Sequence, residues 1–347
     1  MTANTPTTGD SKGSVTGVTG GRIFSGIQPS GRLHIGNYLG AISQFVPLQK
    51  EYDCIFGIVD LHAMTQIYKK EEMPERIINA AVNYLACGLD PNKATLMLQS
   101  GVQEHAELAW ILATVTPLPW IQRVPTFKEK ARQQPDNVNM GLFNYPVLMA
   151  ADILIYKSVA VPVGEDQRPH LELTREIARA FNARFGSFFP EPREIIGSQA
   201  RVIGLDGKNR MSKSLDNCIY LDDEPDVIRE KINKQGVTDP ARVKRTDPGN
   251  PSICNIFTWQ EFFSSKEEQA YCAKECRVAG FGCLDCKAIL IKNILAVLAP
   301  IQERQKELMA NLDKVKEIIR DGTERARKIA QETMKEVREI TGLTYLS

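Results

Sequence analysis

A glycine-rich segment near the start of the chain carries residue types that bind phosphate. From Gly26 to Asn37 it runs Gly-Ile-Gln-Pro-Ser-Gly-Arg-Leu-His-Ile-Gly-Asn. Gly36 would let a phosphate or a ribose approach the backbone, and His34 can donate a hydrogen bond to a phosphate oxygen. An ordinary Gly/Pro turn with a surface histidine would also account for His34 alone, but the complete string favours a nucleotide site.

A second segment combines cations with hydroxyl groups. The run Arg-Met-Ser-Lys-Ser, residues 210–214, follows the glycines Gly204 and Gly207. Such a loop can close over a polyphosphate and neutralise the charge that develops as a phosphate bond breaks. The simpler alternative is a solvated basic loop. The segment therefore indicates a polyphosphate site only in combination with the first motif.

Five of the eight cysteines lie in one short stretch: Cys254, Cys272, Cys276, Cys283 and Cys286. In a chain that is not secreted, such crowding favours a metal centre over disulfides. The last two have the Cys-x-x-Cys spacing, and four thiolates suit either tetrahedral zinc or an iron–sulfur cluster.

The first half of the chain alternates between strand-like and helix-like patterns, which is typical of a parallel sheet flanked by helices. Strands are predicted at residues 22–26, 54–59, 94–98 and 159–163. Helices are predicted at residues 37–51, 72–87, 106–113, 144–156 and 167–185. The first motif therefore follows the first strand, and open parallel sheets bind ligands at the carboxyl ends of their strands.

The pattern changes after about residue 217, where Leu, Ile and Val recur at helical spacing among abundant Lys and Glu. Helices are predicted at residues 226–234 and 284–340, with Pro300 expected to kink or divide the second. The predicted organisation is a disordered tail (1–20), an α/β domain (21–216) and an all-helical domain (217–347). We expect the last helix to pack back on the α/β domain.

The composition is that of a globular protein, with 43% hydrophobic and 24% charged residues in a chain of 347. No apolar run is long enough to cross a bilayer, and the N-terminus lacks a signal-peptide pattern, so we expect a cytoplasmic protein without a membrane partner. The net charge of +1 does not point directly to nucleic acid. A basic patch on a balanced surface would still be compatible with it.

The two motifs together resemble the HIGH and KMSKS signatures of class I aminoacyl-tRNA synthetases, in their order and in their separation. Here Asn37 stands in place of the last histidine, and Arg210 in place of the first lysine. Arg210 keeps the charge but lacks the compact ammonium group of lysine. Further strings resemble the bacterial-type tryptophanyl-tRNA synthetases, and the likeness covers nearly everything after residue 21. They are residues 23–31, 59–63, 127–130, 145–154, 161–167 and 300–304.

The resemblance implies a Rossmann-like catalytic domain, a helical anticodon-binding domain, and a homodimer that joins tryptophan to tRNA with ATP and Mg²⁺. In the tryptophan pocket, Asp152 would accept the indole N–H, Phe24 and Met149 would wall the ring, and His62 would line the site. Tyr145 and Gln167 would hold the substrate ammonium group. Indole is a large apolar body with one donor, so an apolar slot with one carboxylate matches it.

The resemblance also implies the residues around ATP. His34, Asn37, Ser212 and Lys213 would surround the migrating charge and carry the catalysis. The ATP-binding set would be Gln28, Pro29, Ser30, Gly36, Asn37, Gly164, Glu165, Asp166, Val202, Arg210, Met211, Ser212, Lys213 and Ser214. Lys128 and Lys130 would reach the triphosphate, with a solvated helix face as their alternative.

Some bacterial tryptophanyl enzymes carry a [4Fe–4S] cluster on nearly the spacing of Cys254, Cys276, Cys283 and Cys286, in the anticodon-binding domain. The resemblance therefore ranks an iron–sulfur cluster first, zinc second and free thiols third. Cys272 lies one helical turn before Cys276 and is the alternative second ligand.

Three other functions have sequence features that would distinguish them. A tyrosyl enzyme shares the architecture, but a phenol both donates and accepts, so its pocket should carry a donor beside the carboxylate. A nucleotidyltransferase that does not use tRNA would not need the long helical region. An iron–sulfur sensor on the same fold would be expected to have lost the phosphate motifs.

Overall fold

A five-stranded parallel sheet forms the centre of the first half of the protein. The computed structural model describes residues 20–124, 127, 131–132, 134–164, 167–196 and 202–344. The strands are β1 (Arg22–Ile27), β2 (Asp53–Ile58), β3 (Ala94–Leu98), β4 (Ala160–Val163) and β5 (Arg193–Ile196). They lie in the order β3-β2-β1-β4-β5, and every pairing is parallel. The strand order therefore reverses between β1 and β4, which is where such sheets bind ligands.

Apolar side chains cover both faces of the sheet. Successive residues of a strand point to opposite faces, so Ile23 and Phe56 join one core cluster while Phe24 and Ile55 join the other. Strands buried on both faces read as continuous apolar runs, which explains why the sequence predicted the first four strands.

Eight helices of the described chain surround the sheet. They are α1 (Ile35–Asn37), α2 (Ser43–Leu48), α3 (Asp60–Ala63), α4 (Met73–Ala86), α5 (Glu104–Ala113), α6 (Leu118–Arg123), α7 (Met140–Leu154) and α8 (Arg168–Phe185). A π-helical turn, Tyr38–Ile42, joins α1 to α2, so the first motif opens one helical segment. The predicted α/β fold with a parallel sheet and a helical C-terminal region is confirmed.

The C-terminal region consists of helices: α9 (Pro225–Gln235), α10 (Asn255–Phe263), α11 (Lys266–Arg277), α12 (Cys283–Ala310) and α13 (Leu312–Thr341). Pro300 was expected to kink or divide the long helical stretch, and division is wrong, because α12 continues through it. Proline lacks one backbone donor, but its fixed φ is helical, so surrounding packing can hold it inside a helix. The break falls at Asn311, whose φ of −132° is not helical and whose side chain caps α13 by accepting from the Lys314 N–H.

The last helix packs on the edge of the sheet. Gly322 lies so close to the Leu96 backbone that a Cβ at this position would collide with it. The neighbouring Thr323 Oγ1 accepts the Leu98 N–H at 3.0 Å. Arg338 Nε donates to Glu107 Oε1 on α5 at 2.7 Å. Residues distant in sequence therefore tie the C-terminal helix to the sheet that carries the site.

Candidate active site

A cleft opens at the carboxyl ends of β1 and β4, where the strand order reverses. Eight of the residues predicted around ATP line it: Gln28, Ser30, Gly36, Asn37, Gly164, Val202, Arg210 and Met211. His34 lies on its wall as well. Pro29, Ser212, Lys213 and Ser214 are not among its lining residues, although Pro29 and Ser212 each adjoin one along the chain. Glu165, Asp166, Lys128 and Lys130 lie outside the residues that the structure describes.

His34 is held in one tautomer by the start of α1. Its Nδ1 accepts the Asn37 N–H at 3.3 Å, while Asn37 Oδ1 accepts the His34 N–H at 3.0 Å. This reciprocal pair is a capping box, which satisfies two backbone donors at the helix start. Because Nδ1 accepts, the ring hydrogen of neutral His34 lies on Nε2. Burial and the nearby charge of Lys213 lower the pKa of His34 to about 4, so the ring is neutral near pH 7.

The second motif is anchored to the first through Lys213. Its Nζ donates to the Ser30 carbonyl oxygen at 2.8 Å and lies 3.4 Å from Ser30 Oγ. Burial lowers the pKa of Lys213. Asn217, which is buried, holds the other side of this loop: its Oδ1 accepts the Ser212 N–H at 2.8 Å and its amide donates to the Arg210 carbonyl at 3.1 Å. Sequence analysis missed Asn217, although it lies only a few residues beyond the motif.

A second pocket adjoins the cleft. All six residues predicted around tryptophan line it: Phe24, His62, Tyr145, Met149, Asp152 and Gln167. The two cavities share wall residues at the ends of β1 and β4, including Gly26, Gln28 and Pro162. A ligand in the second pocket would therefore be next to a ligand in the cleft.

Asp152 lines this pocket and is 1% exposed. Its carboxylate accepts from His62 Nε2 at 2.8 Å, from His105 Nδ1 at 2.6 Å and from Gln99 Nε2 at 2.8 and 2.9 Å. Burial acts to raise the pKa of Asp152, but the charge and hydrogen bond of His105 and the contact with His62 outweigh it and lower the pKa to about 2. The carboxylate is therefore ionised and can only accept.

No motif in the sequence points to Gln99 or His105. Gln99 directly follows β3 at the ligand-binding edge of the sheet, and this position was the signal that could have found it. His105 lies in the first turn of α5 and is fully buried. Only the fold shows that it faces Asp152 on α7.

Aromatic rings wall the rest of the pocket. Phe24 stacks on Tyr156, with ring centroids 5.6 Å apart and planes 19° from parallel. His62 meets Tyr145 edge-on at 6.3 Å, and the Tyr145 hydroxyl lies 3.2 Å from His170 Nε2. Among the described residues, the pocket thus offers apolar faces and a single carboxylate, as an indole ring requires.

The clustered cysteines lie together in the helical region, and all are free thiols. Cys254 directly precedes α10, Cys272 and Cys276 lie on α11, and Cys283 and Cys286 lie in the first turn of α12. The Cys272 and Cys286 thiols are hydrogen bonded; this bond lowers the pKa of Cys272 and raises that of Cys286. Within the described ranges, no three or more His, Cys, Asp or Glu side chains are arranged to hold a metal ion.

Two buried cations face these thiols. Arg242 Nη1 lies 3.7 Å from Cys276 Sγ, and Lys287 interacts electrostatically with Cys254, Cys283 and Cys286. The remaining hydrogen bonds of both cations go to backbone carbonyls, as in the 3.0 Å bond from Lys287 Nζ to the Asn233 oxygen. Across the described part of the chain, neither cation pairs with a carboxylate. Buried charges normally need a counter-charge, but burial raises the pKa of Cys254 and Cys276, which favours the neutral thiol in both.

Among the helices that the structure describes, none is long and apolar enough to span a membrane.

Known proteins share both the sequence and the fold. A family model described as tRNA synthetases class I (W and Y) matches residues 20–299. The tryptophan–tRNA ligase of Deinococcus radiodurans is 45% identical over 330 residues, covering 94% of this chain and 99% of the relative. The tryptophan–tRNA ligase of Thermotoga maritima is 42% identical, covering 93% and 100%. The crystal structure of tryptophanyl-tRNA synthetase from Campylobacter jejuni complexed with ADP and tryptophan matches with a TM-score of 0.84 at 37% identity, covering 92% of this chain and 99% of that one.

The match to more than half of the chain and the identity with full-length relatives define the class. This chain belongs to the class I tRNA synthetases of the tryptophan and tyrosine type, which are ATP-dependent ligases. Within that family it falls with the tryptophan–tRNA ligases.

Proposed function

We propose that this chain activates L-tryptophan with ATP, giving tryptophanyl-adenylate and pyrophosphate, and then transfers the tryptophanyl group to the terminal ribose of tRNA(Trp). The observation that carries the proposal is that the two cavities adjoin and share lining residues. The pocket around Asp152 suits an indole ring, and the neighbouring cleft carries the phosphate motifs. As a translation enzyme, it would work in the cytoplasm.

In the first step, a carboxylate oxygen of tryptophan bonds to the α-phosphorus, and the bond to the β-phosphate oxygen breaks. Negative charge moves onto the leaving pyrophosphate. His34 can donate through Nε2–H, and Lys213 can bring its ammonium group to the phosphates after leaving Ser30. Asn37 and Ser212 complete the proposed catalytic set. Positioning and charge stabilisation suffice for this reaction, so no covalent enzyme nucleophile is required, and Mg²⁺ enters with ATP as part of the substrate.

Pyrophosphate exchange tests the substrate. Each standard amino acid is supplied in turn with ATP and labelled pyrophosphate, and exchange is expected with tryptophan alone. Exchange with tyrosine instead would contradict the choice of amino acid. A charging assay with total tRNA then tests the second step, since exchange without charging would make the protein a nucleotidyltransferase.

We propose in addition that Cys254, Cys276, Cys283 and Cys286 hold a [4Fe–4S] cluster, with zinc as the alternative. Four thiolates around either centre leave a net charge of −2, and Arg242 and Lys287 would supply +2. Loading would require Cys286 to leave its hydrogen bond with Cys272, which is the alternative ligand. The centre would tie α10, α11 and α12 together, and ligand binding of this kind adds directly to folding stability.

Metal analysis of anaerobically purified protein tests this centre. Brown protein with iron and acid-labile sulfide is expected, and Cys283→Ser should lose both the colour and some thermal stability. Cys87→Ser, which alters a buried thiol of the first domain, is the control. Adenylate formation should persist in Cys283→Ser. Stoichiometric zinc in colourless protein would replace the cluster, and protein without metal would leave free thiols.

We also propose that the enzyme is a homodimer whose helical region, residues 217–347, binds the anticodon. Support for the dimer comes from apolar side chains on neighbouring helices that remain exposed: Trp110 (74%), Leu118 (63%) and Met140 (74%). Exposed apolar patches of this kind mark interfaces. Light scattering after size exclusion should give twice the chain mass, and Trp110→Glu should give monomers. Met309→Glu, at an exposed apolar residue of α12, is the matched control.

A further inference from the structure

Among the described residues, each side chain that is hydrogen bonded to the Asp152 carboxylate acts as a donor. The Leu61 N–H donates to Gln99 Oε1 at 3.1 Å, which fixes the orientation of this amide and turns its Nε2 toward the carboxylate. His62 and His105 each approach within 2.8 Å. The site is therefore assembled around an acceptor that stays ionised.

His105 is the central member of a chain of hydrogen bonds. Its Nδ1 lies 2.6 Å from Asp152 Oδ1, and its Nε2 lies 2.7 Å from the Tyr156 hydroxyl. Since the carboxylate only accepts, Nδ1 must carry hydrogen. The Tyr156 hydroxyl is buried and its pKa is raised well above the usual value by burial, so it stays protonated and shares a hydrogen bond with Nε2. Hydrogen bonds in such chains polarise one another.

We propose that His105, with Tyr156 behind it, is a positioning residue that holds Asp152 as an ionised, oriented acceptor for the indole N–H and so sets the selectivity for a ring that bears an N–H. His105 is fully buried and does not line the pocket, so it acts through Asp152. The inference rests on the proposed tryptophan site. It adds residues that no sequence motif pointed to.

The selectivity follows from the geometry of the donors. With Oδ1 held by His105 and Gln99, the carboxylate cannot rotate to suit another ligand. A ring without a donor would leave a buried charge with one partner fewer, whereas an indole N–H adds one. Sites built to bind a specific polar group reject the analogue that lacks it, because the buried group is then left unpaired.

Other charged groups near the hydrogen bonds that join Asp152, His105 and Tyr156 do not orient Asp152 in this way. Arg22 donates to the Tyr156 backbone carbonyl at 3.2 Å. Glu104, next to His105 on α5, is buried and forms an ion pair with Arg327 at 3.5 Å. His62 contacts the other carboxylate oxygen, Oδ2, from α3. None of these three groups joins Asp152 to a buried hydroxyl, as His105 does.

The test compares tryptophan with β-(3-benzothienyl)alanine, an analogue whose ring has sulfur in place of the N–H. The ratio of kcat/KM for the two substrates is measured by adenylate formation in full-length protein. His105→Leu should reduce this ratio at least about tenfold, chiefly through KM for tryptophan, with KM for ATP unchanged. The acid limb of the tryptophan kcat/KM profile should move to higher pH, because Asp152 loses a group that favours its ionised form.

Two substitutions separate positioning from simple packing. The amide nitrogen of His105→Asn can occupy the place of Nδ1 and should restore part of the ratio, whereas His105→Gln places its amide near Nε2 and should not. Tyr156→Phe removes only the far hydroxyl and should lower the ratio by a smaller factor. Tyr84→Phe, which removes a buried hydroxyl in the other core cluster, is the control.

Two results together overturn the inference: Tyr156→Phe keeps the wild-type ratio of kcat/KM, and His105→Asn restores no more of that ratio than His105→Gln does. Neither result depends on whether His105→Leu folds. An equal loss for both substrates would also overturn it. Asp152→Asn distinguishes this failure from failure of the proposed site. If that variant discriminates as the wild type does, Asp152 is not the indole acceptor at all.

Discussion

Replacing Asp152 by asparagine would test both the stability and the substrate specificity of the site. The amide keeps the volume of the side chain but places an NH₂ group where one carboxylate oxygen accepted hydrogen bonds. If it replaces Oδ1, it faces His105 Nδ1–H; if it replaces Oδ2, it faces His62 Nε2–H. One buried donor then loses its acceptor, which costs about 1–3 kcal/mol of the free energy of unfolding.

The loss of tryptophan affinity can be estimated in the same way. A hydrogen bond to a charged group contributes about 1.5–3 kcal/mol, and about 1.4 kcal/mol is a factor of ten, so KM for tryptophan should rise roughly 10- to 150-fold. KM for ATP should change little, because the phosphate motifs lie on the other side of the shared wall. Tryptophan-dependent pyrophosphate exchange, with each substrate varied in turn, measures both constants.

A matched control separates stability from substrate binding. Gln305→Ala removes the buried donor to Asn83 Oδ1, a 2.7 Å hydrogen bond distant from the pocket. It should lower the melting temperature by a comparable amount and leave KM for tryptophan unchanged. Unchanged tryptophan kinetics in Asp152→Asn, or an equal rise in KM for tryptophan and ATP, would refute the assignment of Asp152 to the indole N–H.

Three further predictions concern charges elsewhere in the molecule. Lys213→Ala should lower kcat for adenylate formation with little change in KM, and a fall in ATP affinity alone would make the loop a binding clamp. The pKa of His34 is about 4 when folded and about 6.5 when unfolded, so the unfolded state binds more protons between these values and stability should fall as pH drops through that window. His34→Gln should remove that part of the pH dependence of thermal unfolding; an unaltered dependence would show that His34 does not cause it. Lys287→Met should stabilise metal-free protein, where the buried cation has no thiolate partners, and destabilise loaded protein, whereas the same sign in both would contradict the proposed charge balance.

The sequence predicted those elements whose residues follow one clear period. Four strands are continuous apolar runs, and their predicted bounds differ from the observed ones by a residue or two. β5 (Arg193–Ile196) was missed because it has only four residues, two of them charged, at the edge of the sheet. The break at Asn311 was missed for a different reason. Pro300 is the stronger helix breaker in isolation, but packing along α12 keeps that helix intact. The break falls at Asn311 instead, whose side chain caps the start of α13.

The motif residues of the candidate site could be found because each belongs to a recognisable string. His34 and Asp152 line two adjoining cavities and Lys213 is hydrogen bonded to Ser30, while the roles that the strings implied for them stay predictions. The residues that control them could not be found in this way. Asn217 holds the second motif, and His105 orients Asp152, but each carries an ordinary side chain whose partner is chosen by the fold.

Asp152 and the clustered cysteines pose the same electrostatic problem, because each would place negative charge where water is excluded. Asp152 is an anion surrounded by three donors, and the cysteines are potential anions faced by Arg242 and Lys287. A buried charge without partners costs far more than any single contact contributes, so its partners must be placed by folding before the ligand arrives. In both centres these partners come from separate segments: α3, α5 and the end of β3 around Asp152, and α12 and the loop before α10 around the thiols. The spacing of residues in the sequence can therefore reveal the acidic group. Only the packing of distant segments determines whether that group has the partners it needs to bind a ligand in its charged form.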